Sequence, residues 1–536
     1  MKTVDGFLMF RWRGWMAILI AVHFVVILLL GLSRHWGYMS SLNDLGAFDQ
    51  AVWGTLNGRF LLNTSIFNQP INWLGFHFHP VILLFVPFYA IAPCTEWFAL
   101  AQALALSMAA WPIFLLTSKI LKSEAAGLMW SIAYLGNPFL LNAAAWDFHP
   151  ITLAAPFFAL GLLAVERTNG RLLMLSCLSL LFFQEHLGVS VAGFGLLWGL
   201  RHHEWKVATV LILLGLGHFL LVMILIMPAF SPTGAHVMLA SDLGQLSRYG
   251  WLGKSVGDIT LNFLFNPWPI AQKVLFDFGG WFYLACLFLP FFGFPLVAPL
   301  SLLPAIPDLA ANLLSANPMP RSVFAYHSVL LVPALVIAAA YGAQRISQWC
   351  KWLSSAQISG LAFIASLVMG YALAPLPTPG AFNFWMASHF LNAPDPTPIT
   401  INAKLGNASV SAQANVGAHF SRRGDVYLYP NMVGKVDAIV LYLESPTSRF
   451  FPSDPQIVST LAHHLQMTPA DYLASIHCLL MSKSYGVLIW EDPWLVLTKG
   501  AAKGETVGKI ETRLMRLREQ WGVGFKETRT SAECKG

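Results

Sequence analysis

A chain of 536 residues in which 56% are hydrophobic and 11% are charged, with a mean hydropathy of +0.60, is not composed like a soluble domain, where roughly 25% of residues are charged. The net charge of +6 is spread over short clusters between apolar runs and over the C-terminal tail, so it speaks for topology and solubility and needs no nucleic acid to explain it. The six cysteines show no CxxC and no metal spacing, and only Cys478 and Cys534 share a soluble region in which a disulfide between them is possible.

A spanning helix needs about 20 mostly apolar residues. The first run, Trp15 to Leu32, follows Arg11 and Arg13, and the Ser33-Arg34-His35-Trp36 after it is no cleavage site, so it reads as a retained anchor. A polar loop, 34–78, leads to the short apolar segment 79–93, which ends in Ala92-Pro93 and reads as a surface or re-entrant helix. Further spans are expected at Trp97 to Leu116, Ala125 to Ala143, Ile151 to Val165, from Leu172, at Leu187 to Leu200, and up to Met227. After a loop from Pro228 to Phe276 come Trp281 to Pro295, Leu296 to Leu313, His327 to Tyr341 and Ile358 to Leu373. The total is about eleven. One assignment of sides then gathers Arg11 and Arg13, Lys119 and Lys122, Arg167 and Arg171, Arg201 and Lys206, and Arg345 and Lys351. That side is the cytoplasm, because inner loops carry the Lys/Arg excess. The N-terminus is therefore inside the plasma (inner) membrane and the C-terminus outside.

The breaker-rich Pro375-Leu376-Pro377-Thr378-Pro379-Gly380 closes a multi-spanning domain, 1–380, and a linker covers 381–397. Over 398–536 short alternating runs replace long apolar ones. Ser409 to Gln413, Val426 to Tyr429 and Ala438 to Leu443 read as strands, and Gly486 to Trp490 with Trp494 to Thr498 reads as a hairpin. From Val507 to Trp521, Ile510, Leu514, Leu517 and Trp521 form one helical stripe, suited to packing on the small domain or to lying on the membrane. The expected fold is a polytopic α-helical membrane protein with a C-terminal α/β extracytoplasmic domain.

The residues with chemistry gather at the outer ends of these elements. Asp44 starts a helical pattern, where an N-cap is its ordinary role. Asp49, beside Gln50 and inside that pattern, has no capping role. Phe76-His77-Phe78-His79-Pro80 puts two imidazoles on one side of an extended segment. Asp147 and His149 are again two apart, and Glu185 and His186 stand where two helices meet. Asp308 and Asn312 end a later helix, Arg321 and His327 precede the next, and Lys254 is a further outer cation. Acids and imidazoles converging at one depth suit proton transfer or a divalent metal, with His77, His79, Asp147 and His149 as one ligand set. Asn63-Thr64-Ser65 matches a glycosylation sequon, a motif short enough to arise by chance.

The strings Asp44-Leu45-Gly46-Ala47-Phe48-Asp49-Gln50-Ala51-Val52-Trp53, Gly75-Phe76-His77-Phe78-His79-Pro80 and Trp146-Asp147-Phe148-His149-Pro150 resemble a prokaryotic family of predicted membrane proteins, domain of unknown function 2079. The likeness continues through Asn312-Leu313-Leu314-Ser315, Tyr326-His327-Ser328 and Ser411-Ala412-Gln413 to His419-Phe420-Ser421-Arg422-Arg423, nearly the whole chain. That family is in turn similar to the GT-C glycosyltransferases, which use polyprenyl-phosphate sugars. The resemblance implies an inverting transfer at the outer leaflet, with a carboxylate of the first outer loop as general base. Asp44 is in the expected place, with Asp49 and Asp147 as further candidates. Arg321 and Lys254 would meet the leaving phosphate, and Gln50, His149, Glu185, His186, Asp308, Asn312 and His327 would hold substrate. His77 and His79 would serve as donors or metal ligands. The chain departs from many GT-C members in lacking a paired Asp-Glu after helix one. A transporter or flippase for a lipid-linked or small polar solute remains an alternative, carried by the Pro-interrupted helices from Pro290 to Pro307. A non-catalytic scaffold is a third.

Overall fold

The computed structural model describes residues 2–234, 248–444, 461–462, 464–502 and 506–523, and it is mostly helical. The chain divides into two units, each discontinuous in sequence: 1–31, 73–82 and 98–385 in the first, 32–72, 83–97 and 386–536 in the second.

Among the described residues, Trp12–Trp36, Glu96–Leu121, Trp205–Phe230 and Ser355–Leu373 are long and apolar enough to cross a membrane. Pro267–Phe276 and Phe278–Phe291 make a fifth if their 70° bend counts as one broken span. Other apolar runs form shorter helices, including Pro80–Ile91, Pro150–Glu166, Gly170–Leu180 and Pro299–Leu314. Local breakers account for the difference from the sequence reading. The run from Ala125 to Ala143 is split into Glu124–Leu135 and Pro138–Ala145, because Asn137 takes an extended conformation before Pro138 and caps the second helix through Phe139 N. Leu331–Trp349 is buried along nearly all of its first half, as suits a helix enclosed by others.

Helix packing in the first unit relies on missing side chains. Leu187–His202 and Trp205–Leu221 approach so closely that a Cβ on Gly215 would lie 2.2 Å from the Gly188 carbonyl oxygen, and one on Gly188 would lie 2.5 Å from that of Gly215. In an apolar solvent such contacts replace the hydrophobic effect as the source of helix association.

The second unit contains a two-stranded antiparallel pair, β1 (Leu62–Asn63) with β2 (Ile71–Asn72), and a five-stranded mixed sheet. Its strands are β3 (Val410–Ala412), β4 (Val426–Leu428), β5 (Ala438–Tyr442), β6 (Tyr485–Glu491) and β7 (Trp494–Lys499), ordered β4-β3-β5-β7-β6. β3 pairs in parallel with β4 and β5, while β7 runs antiparallel to β5 and β6. Central β5 is buried on both faces, with Ile439 and Leu441 in one cluster and Ala438 and Val440 in another. The helix Val507–Gln520 lays Ile510, Leu514 and Leu517 into the first of these clusters, followed by Trp521, so its apolar stripe packs on the sheet domain. Cys478 is disulfide-bonded, whereas Cys94, Cys177, Cys286 and Cys350 are free; Cys534, its expected partner, lies outside the described residues.

Two glycines on one helix should respond with opposite signs. Gly215→Ala forces the helices apart and should cost about 1–3 kcal/mol. A Cβ at Gly217 meets nothing within 4 Å, so Gly217→Ala should be neutral or stabilise by up to about 1 kcal/mol. Thermal unfolding of the detergent-solubilised chain checks both.

Candidate functional site

In the second unit, the chain leaves its first helix at Trp36 and turns into Leu42–Gly46, then Ala47–Leu56. Ser41 caps this turn by accepting from Asn43 N at 3.1 Å. Asp44 is therefore not the N-cap; it stands half-buried in the first turn.

Asp49 is fully buried. Tyr89 Oη donates to Oδ1 at 2.6 Å, Ser421 Oγ donates to Oδ2, and Arg422 Nε lies 3.6 Å from Oδ2. Burial raises the Asp49 pKa, while Arg422, Ser421 and Tyr89 oppose that rise by favouring the charged form. The guanidinium of Arg422 is also held by the Pro93 carbonyl, yet its side chain stays 35% exposed. Tyr89 belongs to a helix that separates its faces. Tyr89 is 1% exposed, whereas Leu84, Phe88 and Ile91, at helical spacing, are 67%, 46% and 80% exposed.

Gln50 has no group to spare for a substrate. Its Nε2 donates to Thr64 Oγ1 and to the carbonyls of Arg423 and Gly424, and its Oε1 accepts from Thr64 N and Asn63 Nδ2. It clamps the loop instead, and Asn63 in that clamp is fully buried, which closes the sequon to a glycan. His419 stacks on His35 at 4.1 Å and has its Nε2 3.0 Å from the His35 carbonyl. Burial lowers the His419 pKa to about 4.

The first unit brings together most of the remaining candidates. His77 Nδ1 donates to Glu185 Oε1 at 3.1 Å, and Phe78 N donates to Oε2 at 3.1 Å. Burial, the largest single influence, would raise the Glu185 pKa, but His77, His79 and His186 together outweigh it and the carboxyl is held well below its ordinary value. The rings of His77 and His79 stack at 5.1 Å, and the Trp73 indole donates to His79 Nδ1 at 3.1 Å. The neighbour of Glu185 repeats the pattern, since His186 Nε2 lies 2.7 Å from Asp308 Oδ1. His149 has Nδ1 3.0 Å from the Asp147 carbonyl and stacks on Tyr326 at 3.6 Å, with His327 on the Tyr326 ring at 4.2 Å. Asn312 Nδ2 donates to Tyr283 Oη at 3.1 Å, which also meets Ser328.

Two expectations in this unit change. Among the described residues, the group whose donor atoms lie within 4.8 Å of one another is His77, His79 and Glu185, and neither Asp147 nor His149 belongs to it. Arg321, 9% exposed, is paired with Asp277 and is not a ready cation for a phosphate. Lys254 is exposed. The sequence reading also missed Tyr89 altogether and quoted Ser421 and Arg422 only within the family resemblance.

The shifts on His419 and Asp49 give opposite pH dependences. His419 has a folded pKa below its unfolded value, so its contribution to stability is full above about pH 6.5 and is lost as pH falls toward about 4. Asp49 has a raised pKa, so its contribution is full below its unfolded value and fades as pH rises through the folded one. His419→Gln should therefore flatten the fall in unfolding temperature between about pH 6.5 and 4, measured on the full chain against wild type.

No curated protein matches the chain. A solved structure with a similar course is described as "Crystal Structure of ArnT from Cupriavidus metallidurans bound to Undecaprenyl phosphate". It is 14% identical, the match covers 92% of this chain and 99% of that one, and the TM-score is 0.49, too low to carry an inference about activity. The family model described as predicted membrane protein (DUF2079) matches residues 34–458. That match covers most of the sequence, and the chain belongs to this family of predicted membrane proteins.

Proposed function

We propose that this chain is a GT-C-like membrane glycosyltransferase that moves a sugar from a polyprenyl-phosphate donor to an acceptor hydroxyl at the outer face of the plasma membrane. The fold in this reading has about eleven spans, an inner N-terminus and an extracytoplasmic α/β domain from residue 398. The Lys/Arg distribution supports the topology. The disulfide at Cys478 agrees with an oxidising outer compartment.

The observation that carries the chemistry is the placement of Arg422. It is held by Asp49 on one side and by the Pro93 carbonyl on the other, beside a segment that exposes Leu84, Phe88 and Ile91. A polyprenyl tail lies against such an apolar face, and its phosphate then meets the exposed edge of the guanidinium. Asp49 is fully buried among hydroxyl donors and Arg422, and in this reading Asp44, half-buried in the first turn and in the place the family resemblance expects, is the base. Asp44 takes the proton of the acceptor hydroxyl as that oxygen attacks the anomeric carbon. The bond from that carbon to the phosphate oxygen breaks, its electron pair leaves with the polyprenyl phosphate, and the anomeric configuration inverts. Arg422 stabilises the leaving charge.

In a host lacking the chain, Asp44→Asn should restore roughly 10²–10⁴-fold less transfer than wild type, and Arg422→Gln about 10²–10³-fold less. Mass spectrometry of the lipid extract should show a polyprenyl-phosphate sugar accumulating in both, with loss of a surface glycan modification. An unchanged lipid pool in both would overturn the proposal. The 70° bend at Asp277 favours transport as the second reading. Sugar transfer by the purified chain in detergent micelles, with no compartment to cross, separates the two.

A further inference from the structure

The geometry assigns a divalent transition-metal site to His77, His79 and Glu185 of the first unit, distinct from the residues proposed above for sugar transfer. Their donor atoms lie within 4.8 Å of one another, and the closest pair, His77 Nδ1 and Glu185 Oε1, is 3.1 Å apart. Ligands about 2.0–2.1 Å from a tetrahedral zinc ion stand about 3.3 Å from each other. The His77–Glu185 pair already has that spacing, held by a hydrogen bond whose Nδ1 proton must leave to the other ring nitrogen or to solvent when the metal takes its place. His79 must close in by at most about 1.5 Å, a shift within the reach of a side-chain rotation. Two imidazoles and one carboxylate form the donor set that zinc-type ions prefer, whereas magnesium and calcium favour all-oxygen sites.

Charge points the same way. Glu185 and Asp308 have side chains only 14% and 9% exposed, and each has an imidazole as its ionisable partner. Asp308 Oδ2 is buried and, among the described residues, has no hydrogen-bond partner. Two largely buried carboxylates need compensating positive charge, and once His77 gives up its proton to ligate a metal that charge must come from the metal itself. A dication on Glu185, adjacent in sequence to the His186 that holds Asp308, supplies it.

Trp73 makes the site testable. An indole N–H only donates, so its bond to His79 Nδ1 occupies that lone pair and keeps the proton of the neutral ring on Nε2. A metal bound through Nδ1 must displace Trp73, and one bound through Nε2 needs the other tautomer. Either way the indole competes with the metal. Trp73→Phe should therefore bind metal more tightly, a gain that misfolding does not produce.

The experiment uses the full chain, purified without a polyhistidine tag, stripped with a chelator and reloaded with zinc. Affinity is read by competition with a chromogenic chelator and stoichiometry by elemental analysis. Wild type should retain one zinc, His77→Ala, His79→Ala and Glu185→Gln should each weaken it by about tenfold or more, and Trp73→Phe should tighten it. Substoichiometric zinc in wild type would overturn the assignment. So would unchanged affinity in His77→Ala or Glu185→Gln, or weaker binding in Trp73→Phe.

Discussion

A carboxylate removed from water must be met by donors that replace its hydration, and Asp49 meets that requirement with partners remote in sequence. Tyr89 is 40 residues away and Ser421 is 372. The segment after the first helix, the short helix bearing Tyr89 and the loop Ser421-Arg422 are thereby held at one point of the second unit. Hydrogen bonds to a charged group contribute about 1.5–3 kcal/mol each, and breaking a buried ion pair costs about 3–5 kcal/mol, less where one partner is partly exposed, as Arg422 is. Tyr89 and Ser421 orient the carboxylate, and the cation of Arg422 makes its burial tolerable. Arg422 keeps 35% of its side chain exposed between these two contacts, which leaves an edge able to meet a second anion.

The first unit uses a different device. Glu185 and His186 are adjacent in sequence, and each completes a carboxylate–imidazole pair with a residue from another element, His77 and Asp308 respectively. Each pair fixes which ring nitrogen is a donor, and Trp73 does the same for His79 by donating to Nδ1. These contacts give one nitrogen of His77 and of His186 a donor role and Nδ1 of His79 an acceptor role.

Much of this is legible in the sequence wherever the signal is local. Alternation locates β5 from Ala438 and the hairpin β6–β7 to within a residue, because each strand is short and bounded by breakers. The stripe of Ile510, Leu514 and Leu517 reads as a helix face and is buried as one. Apolar runs reveal helices but not their lengths, since Asn137-Pro138 interrupts a run that composition alone makes continuous, and Pro267–Phe276, expected within a loop, is a helix. Asp49 stands out as an acid with no capping role, but nothing local names Tyr89 or Arg422 as its partners. Arg321 and Gln50 mislead for the same reason. An outer cation and a glutamine beside an acid suggest a substrate, and only the fold shows that Asp277 and the Thr64 loop already hold them.

The claim on which the account rests is that Asp49 presents Arg422 to a lipid phosphate. Native mass spectrometry of the detergent-solubilised chain with a polyprenyl phosphate measures this without requiring turnover. The account predicts one retained lipid in wild type and in Asp44→Asn, with affinity about ten- to a hundredfold lower in Arg422→Gln and Asp49→Asn, as expected from losing a charge-assisted hydrogen bond. Equal retention by wild type and Arg422→Gln would contradict it.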